Sequence, residues 1–578
     1  MNISTSLNTS KILKLALSLF LFSFISCTEK DQADLIVHNA KIYTVNDLFD
    51  IAEAMVITDG KIVAIGAEHE IRNKYNAKET IDAKKQTIYP GFIDAHCHFV
   101  GYALNLKKVN LVGTKSFEDA LNKVTHFSET NTEEWIVGRG WDQNDWEVKE
   151  FPSREKLDSL FPTQPVFLIR IDGHAAIANG EALRRANITS KTKIEGGALI
   201  VHHSKKSNNQ QLNLSTNEQG SGNQSQLTGV LLDNALELVH KVIPQPDIKD
   251  IEEALLIAQH QLFEVGITTV DDAGLSKDTI DLIDRLQQEH KLKLKVYAMI
   301  SGNESMLNHY LKKGPYKTER LTVNSFKFYA DGALGSRGAC LIDPYSDIHE
   351  NNHHGLLISE ADFFNKYAPI LYEKGFQMNT HCIGDSANRL ILDVYAKTLK
   401  GVNDKRWRIE HAQVIHPDDF EKFRAYTIIP SIQPTHATSD MYWVKDRLGE
   451  HRVKGAYAYK DLLKQNGIVA LGTDFPVENI SPIKTFYAAV ARKDAQGYPK
   501  DGYQMENALS KKDALKGMTI WAAISNFEEN EKGSLEIGKS ADFVILNNDI
   551  MIMNEENILD VKVIQTFING ENVFSLKN

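Results

Sequence analysis

A chain of 578 residues is too long for one small core and points to a large barrel with satellite elements, or to several domains. Its 42% hydrophobic and 24% charged residues are ordinary for a globular protein. A formal net charge of −11, with no basic patch interleaved with aromatics, argues against a nucleic-acid binder and for an acidic soluble surface.

At the N-terminus Lys11 and Lys14 precede an apolar run over residues 15–25, followed by Ser26-Cys27. The run has signal-peptide length and is too short to span a bilayer. A small residue before cysteine resembles a bacterial lipoprotein processing site, although Phe24 is atypical three positions before the cysteine. That resemblance implies a signal peptide over residues 1–27, lipidation at Cys27, and export to the cell envelope with membrane contact only through the lipid. Without Cys27 three widely spaced cysteines remain, Cys97, Cys340 and Cys382, which make no disulfide framework.

Residues 33–45 alternate as a strand, and residues 54–66 form a hairpin around Asp59-Gly60. The far end repeats the theme, with an apolar strand over 541–546 and a hairpin over 563–574 around Asn569-Gly570. Neither set is self-sufficient, so residues 34–88 and 526–578 are expected to pair into one small β-sandwich. Between them, residues 89–525 alternate short apolar strands with helical stretches. The strands are near 266–272, 294–300, 325–329, 376–381, 408–411 and 468–474; the helices are near 251–265, 360–374 and 387–399. This is an α/β pattern, and its length favours a (β/α)8 TIM-like barrel. Residues 202–226, rich in Ser, Asn, Gln and Gly, read as an exposed disordered insertion in which His202-His203 is solvated.

Within Tyr89-Pro-Gly-Phe-Ile-Asp-Ala-His-Cys-His-Phe99 the two histidines are one residue apart. On a strand His96 and His98 share a face and Cys97 takes the other. Two imidazoles on one face can hold a divalent cation, but H-x-H alone is a common pattern. Further along, Lys327, His381, His411 and Asp474 each close a short apolar run. Barrel enzymes place their chemistry at the C-terminal ends of strands, and six such residues favour a metal site. Softer candidates for a substrate pocket are Trp141, Asp142, Gln143 and Trp146 in a glycine-bounded loop, then His174, then Arg337, which could grip a carboxylate or a neighbouring Asp.

The run Pro90-Gly-Phe-Ile-Asp-Ala-His-Cys-His98 resembles the first-strand signature of the amidohydrolase superfamily. Gly-Trp-Asp-Gln-Asn at 140–144, Gly173-His174, Phe-Lys-Phe-Tyr-Ala-Asp-Gly at 326–332, His-Cys-Ile-Gly-Asp at 381–385, Arg-Ile-Glu-His-Ala-Gln at 408–413 and Gly-Thr-Asp-Phe-Pro at 472–476 resemble its amidohydrolase 3 branch. That branch includes N-substituted formamide deformylase and YtcJ-like proteins. The resemblance implies a distorted (β/α)8 barrel with a terminal β-sandwich. It implies one or two divalent ions, Zn²⁺ first, held by His96, His98, His381, His411 and Asp474, with Lys327 as a carboxylated bridge. A barrel-lining Lys327 paired with Asp331 is the alternative. The implied reaction is hydrolysis of a non-peptide C–N bond in a small-molecule amide or formamide. Water activated by metal attacks, and Asp474 carries the proton to the leaving nitrogen. Deamination of an amino-heterocycle, or a non-catalytic binding or regulatory role on the same barrel, are the competing functions; a homodimer is compatible with either.

Overall fold

The computed structural model describes residues 30–202, 226–348 and 352–577. The signal-like segment with Cys27, and the insertion from 203 to 225 with His203, lie outside the described residues. No helix of the described residues is long and apolar enough to cross a membrane.

Eight strands form the barrel: β1 (Phe92–Cys97), β2 (Ile267–Leu275), β3 (Lys295–Ser301), β4 (Leu321–Tyr329), β5 (Gln377–Cys382), β6 (Arg408–His411), β7 (Ile429–Ile432) and β8 (Ala470–Leu471). Each pairs parallel with the next. The ring closes just past β8. There the Asp474 N–H donates to His96 O and the His98 N–H to Phe475 O, both at 2.8 Å. The Asp94 carboxylate reinforces the seam, accepting from the Thr473 N–H at 3.0 Å and the Thr473 hydroxyl at 2.7 Å. This approach needs a glycine at 472, because a Cβ there would lie 2.5 Å from His96 N. Helices such as Ile248–Glu264, Ala361–Lys374 and Asp385–Leu399 cover the outside, their apolar stripes packed on the strands.

Both termini build the sandwich. One sheet runs Lys61–Gly66, Ala54–Thr58, Asp31–His38, Tyr75–Asp82; the other runs Glu571–Ser575, Val563–Ile568, Phe543–Leu546, Thr87–Pro90, Lys41–Tyr43, Ile51–Ala52. Leu35, Val37, Met55 and Ile57 meet Ile88, Phe543 and Phe567 between them. Both hairpins turn as their sequences require, with Asp59-Gly60 at φ 49° and 72° and Asn569-Gly570 at φ 50° and 73°. A buried Lys295–Asp542 pair at 2.5 Å ties the sandwich to β3.

A third sheet was not separated from the barrel by its sequence. Between β1 and β2 the chain forms six strands in the order Gly197–His202, Gln226–Asp233, Ala175–Ala178, Val166–Arg170, Ile136–Trp141, Val109–Asn110. Alternate residues of Val166–Arg170 fill different cores: Val166 and Leu168 one, Phe167 and Ile169 the other. The sheet is therefore covered on both faces, and its apolar runs look like barrel strands.

The barrel interior is polar on one side and pinned by Arg408, which has no solvent exposure. Its guanidinium donates to Asp271 on β2 at 2.8 Å, Glu410 on β6 at 2.7 Å, Ser431 on β7 at 3.0 Å and the Ala95 carbonyl on β1. Removing it strands two buried carboxylates. Arg408→Met is therefore expected to destabilise the barrel by about 3–5 kcal/mol, read as a lower urea midpoint; an unchanged midpoint would contradict the pinning.

Candidate metal centre

β1 turns His96 inward, and His98 stands at its end, 27% exposed at the cavity. β4 brings Lys327, β5 His381, β6 His411, and the turn after β8 brings Asp474. All six gather at the C-terminal mouth of the barrel. One donor atom from each of His96, His411 and Asp474 lies within 4.8 Å of the others. Asp474 Oδ1 is 3.4 Å from His98 Nε2 and 3.7 Å from His96 Nε2. The Lys327 amine is 3.5 Å from His96 Nε2, and the His381 ring stands 4.7 Å from that of His411. His411 (φ 73°) and Asp474 (φ 61°) hold left-handed backbone, a strain that residues at functional sites carry.

The nitrogens are assigned by their outer partners, because an oxygen can only accept. His96 Nδ1–H donates to Glu410 at 2.5 Å, His98 Nδ1–H to the Ala273 carbonyl at 3.1 Å, and His411 Nδ1–H to Gln433 Oε1 at 2.7 Å. Each leaves Nε2 without a proton. His381 is reversed: its Nε2 faces the Gly332 carbonyl at 3.4 Å and leaves Nδ1 free. Burial, helped by the Lys327 charge, lowers His96 to about 4. Burial and neighbouring imidazoles hold His381 and His411 well below the usual histidine value. All three are thus neutral at pH 7, the form that binds metal. Burial would raise Asp474, but the imidazoles of His98, His96 and His411 outweigh it and hold the carboxyl well below its ordinary range. Its Oδ1 is buried without a hydrogen-bond partner. Bare imidazole nitrogens around an unpartnered carboxylate oxygen are a donor set that a divalent cation fits.

The softer candidates divide. Asp142 and His174 line the cavity. Trp141 does not: it packs on Trp146 in the inserted sheet and donates to the Leu168 carbonyl at 2.8 Å. Gln143 is fully buried and accepts from Arg170 at 2.8 Å. Arg337 takes the neighbouring Asp, pairing with Asp347 at 2.8 Å outside the cavity lining. Asp331 accepts the backbone N–H groups of Ile383, Gly384 and Cys340 at 2.8–3.0 Å, so it is committed to the β5 turn and forms no pair with Lys327. Cys97 and Cys382 are buried packing residues, as their strand faces require. Residues the sequence reading passed over complete the site. Glu410 and Gln433 orient ligands, His436 lies 3.5 Å from Asp474 Oδ2, and Asp233 holds His174 Nδ1 at 2.7 Å. Only the Arg408/Glu410 alternation, two charges in a four-residue strand, was a visible signal.

The amidohydrolase family model matches residues 79–574. The chain belongs to the amidohydrolase family. This amidohydrolase is 32% identical to Protein LONG AFTER FAR-RED 3 of Arabidopsis thaliana, across 94% of this chain and 92% of that one. It is 24% identical to N-substituted formamide deformylase of Arthrobacter pascens, across 93% and 97%. Its fold matches the crystal structure of an uncharacterized metal-dependent hydrolase from Pyrococcus horikoshii OT3 with a TM-score of 0.70 at 28% identity, covering 90% of this chain and 99% of that one. As an amidohydrolase it is a hydrolase acting on C–N bonds, and the His96, His411 and Asp474 cluster is a candidate site for a divalent metal.

Replacing both His96 and His98 by Ala is expected to strip metal from the protein, read by plasma mass spectrometry. Glu410→Gln keeps every ligand but loosens His96, and should weaken metal binding about 10–100-fold in a metal-buffered titration. Wild-type stoichiometry in the double alanine variant would overturn the ligand assignment.

Proposed function

We propose that this amidohydrolase cleaves a non-peptide C–N bond of a small amide, with N-substituted formamides as the first class to test and Zn²⁺ as the ion. One observation carries the proposal: the unpartnered Asp474 carboxylate sits among bare imidazole nitrogens at the floor of a cavity of about 250 Å³. His96, His98 and Asp474 would hold a divalent cation, which would supply Lewis-acid chemistry for acidifying water and polarising a carbonyl oxygen. Asp474, ionised and aimed into the cavity, takes the proton from the attacking water. It then passes that proton to the nitrogen that leaves. His96, His98 and His411, locked by their Nδ1 partners, hold their Nε2 atoms fixed throughout.

Lys327 supports a second ion beside His381 and His411. Its amine is buried next to His96, and among the described residues no carboxylate pairs with it. A lysine ammonium would repel metal there, whereas its carbamate, formed with CO2, would be an anionic ligand for an ion that His381 and His411 would also hold. The formamide class is supported by the similarity to N-substituted formamide deformylase of Arthrobacter pascens. The signal-like residues 1–27 support export and attachment through Cys27.

Asp474→Asn is expected to lower hydrolysis of N-substituted formamides by about 10²–10⁴-fold while at least part of the bound metal stays. Full activity in that variant would remove Asp474 from the proton path.

A further inference from the structure

Beyond the metal ligands the cavity continues outward between the inserted sheet and the segments that follow β7 and β8. Deep in the sheet wall, Asp142 and Asp172 share Arg170, so their charge is partly balanced. Three other carboxylates are not balanced. Asp145 stands on the sheet wall and Asp440 and Glu478 on the facing wall, and among the described residues no lysine or arginine pairs with any of them. Neutral groups take only some of their lone pairs: Tyr457 OH donates to Asp440 at 2.6 Å and Ser439 OH to Glu478 at 2.6 Å. Burial pushes Asp440 up to about 7 and Glu478 upward, with partial relief from His436.

A group of carboxylates alone would not make a site. Here it forms one end of the cavity whose other end is the metal centre. Between the two ends His436, only 9% exposed, faces the cavity; its Nε2 lies 3.5 Å from Asp474 Oδ2 and makes no hydrogen bond. Trp443, Leu334 and Val477 give the same passage an apolar lining. A ligand that satisfies this arrangement has an apolar stem and a positive end.

We propose that the substrate carries a protonated amine on a short apolar stem, on the side away from the scissile bond, and that Glu478, Asp440 and Asp145 bind it. Charge-assisted hydrogen bonds to a partly buried carboxylate are stronger than neutral ones, and a cleft lined by one sign of charge concentrates the opposite sign. An anionic substrate meets repulsion at the same wall. A neutral substrate would leave the half-buried Asp440 and Glu478 with no countercharge. The proposal rests on the amide-hydrolase reading for the identity of the scissile group, but binding of the distal group can be measured without turnover.

The test uses three formamides of nearly equal length: N-formyl-1,5-diaminopentane, whose end is a cation; N-formylhexylamine, whose end is a methyl; and N-formyl-6-aminohexanoate, whose end is an anion. Each is titrated calorimetrically into zinc-loaded Asp474→Asn protein, and again into that protein carrying Glu478→Gln and Asp440→Asn. Comparing ligands within one protein cancels any partial misfolding. The cationic compound is expected to bind about 10-fold or more tighter than the neutral one, the anionic compound weakest, and the preference to collapse in the variant. Equal affinities, a preference for the anion, no binding of the cation, or a cation preference that survives the two substitutions would each overturn the proposal. Turnover of N-formylhexylamine by the wild-type protein reports on the hydrolase reading alone.

Discussion

A single arginine without solvent exposure, Arg408, holds together the part of the barrel on which the metal centre is built. It links β1, β2, β6 and β7 through the Ala95 carbonyl, Asp271, Glu410 and Ser431. Burial alone would raise Glu410, but the Arg408 charge and the hydrogen bonds from His96 and Arg408 hold it well below the carboxylate range. Glu410 is therefore an anion at pH 7, and it fixes His96 Nδ1–H so that Nε2 faces the cavity. The order of control runs from cation to carboxylate to imidazole. Such a buried chain is costly unless complete, which ties the geometry of the ligand to the integrity of the fold.

The closure of the barrel serves the same end. Asp94 and the backbone bonds between His96, His98 and the 474–475 segment bring the first ligand strand against the last. His96 and Asp474 are 378 positions apart in sequence, yet the seam that completes the ring also sets their spacing. The inserted sheet then supplies the outer half of the cavity. It delivers His174, backed by Asp233, to within 5.1 Å of the His381 ring, and sets Asp142, Asp145 and Asp172 across from Asp440 and Glu478. The metal end is thus built by the strand ends of the barrel, and the acidic end by the barrel and the inserted sheet together.

Much of this was readable from the chain. The two hairpins declared themselves because Asp-Gly and Asn-Gly accept positive φ at both turn positions, and the structure has it there. The candidate ligand positions stood out because barrel strands are short and apolar, so a His, Lys or Asp at the end of one is conspicuous, and the structure brings them to one mouth of the barrel. What stayed hidden depends on contacts between distant segments. Gln433 and Asp233 are ordinary polar residues until the fold places them behind His411 and His174. Arg337 stood between a substrate carboxylate and a neighbouring Asp, and only the fold selects Asp347. The inserted sheet escaped because strands covered on both faces carry the same apolar signature whether they close a barrel or fill an insertion.

Six residues from distant strands converge at the barrel mouth as one candidate metal centre. Anomalous diffraction at the zinc edge, on crystals of the zinc-loaded protein, tests it directly. The strongest peak is expected between His96 Nε2, His98 Nε2 and Asp474, with a second beside His381 and His411 if Lys327 is carboxylated. No peak in the cavity, or a peak bound by other residues, would contradict it.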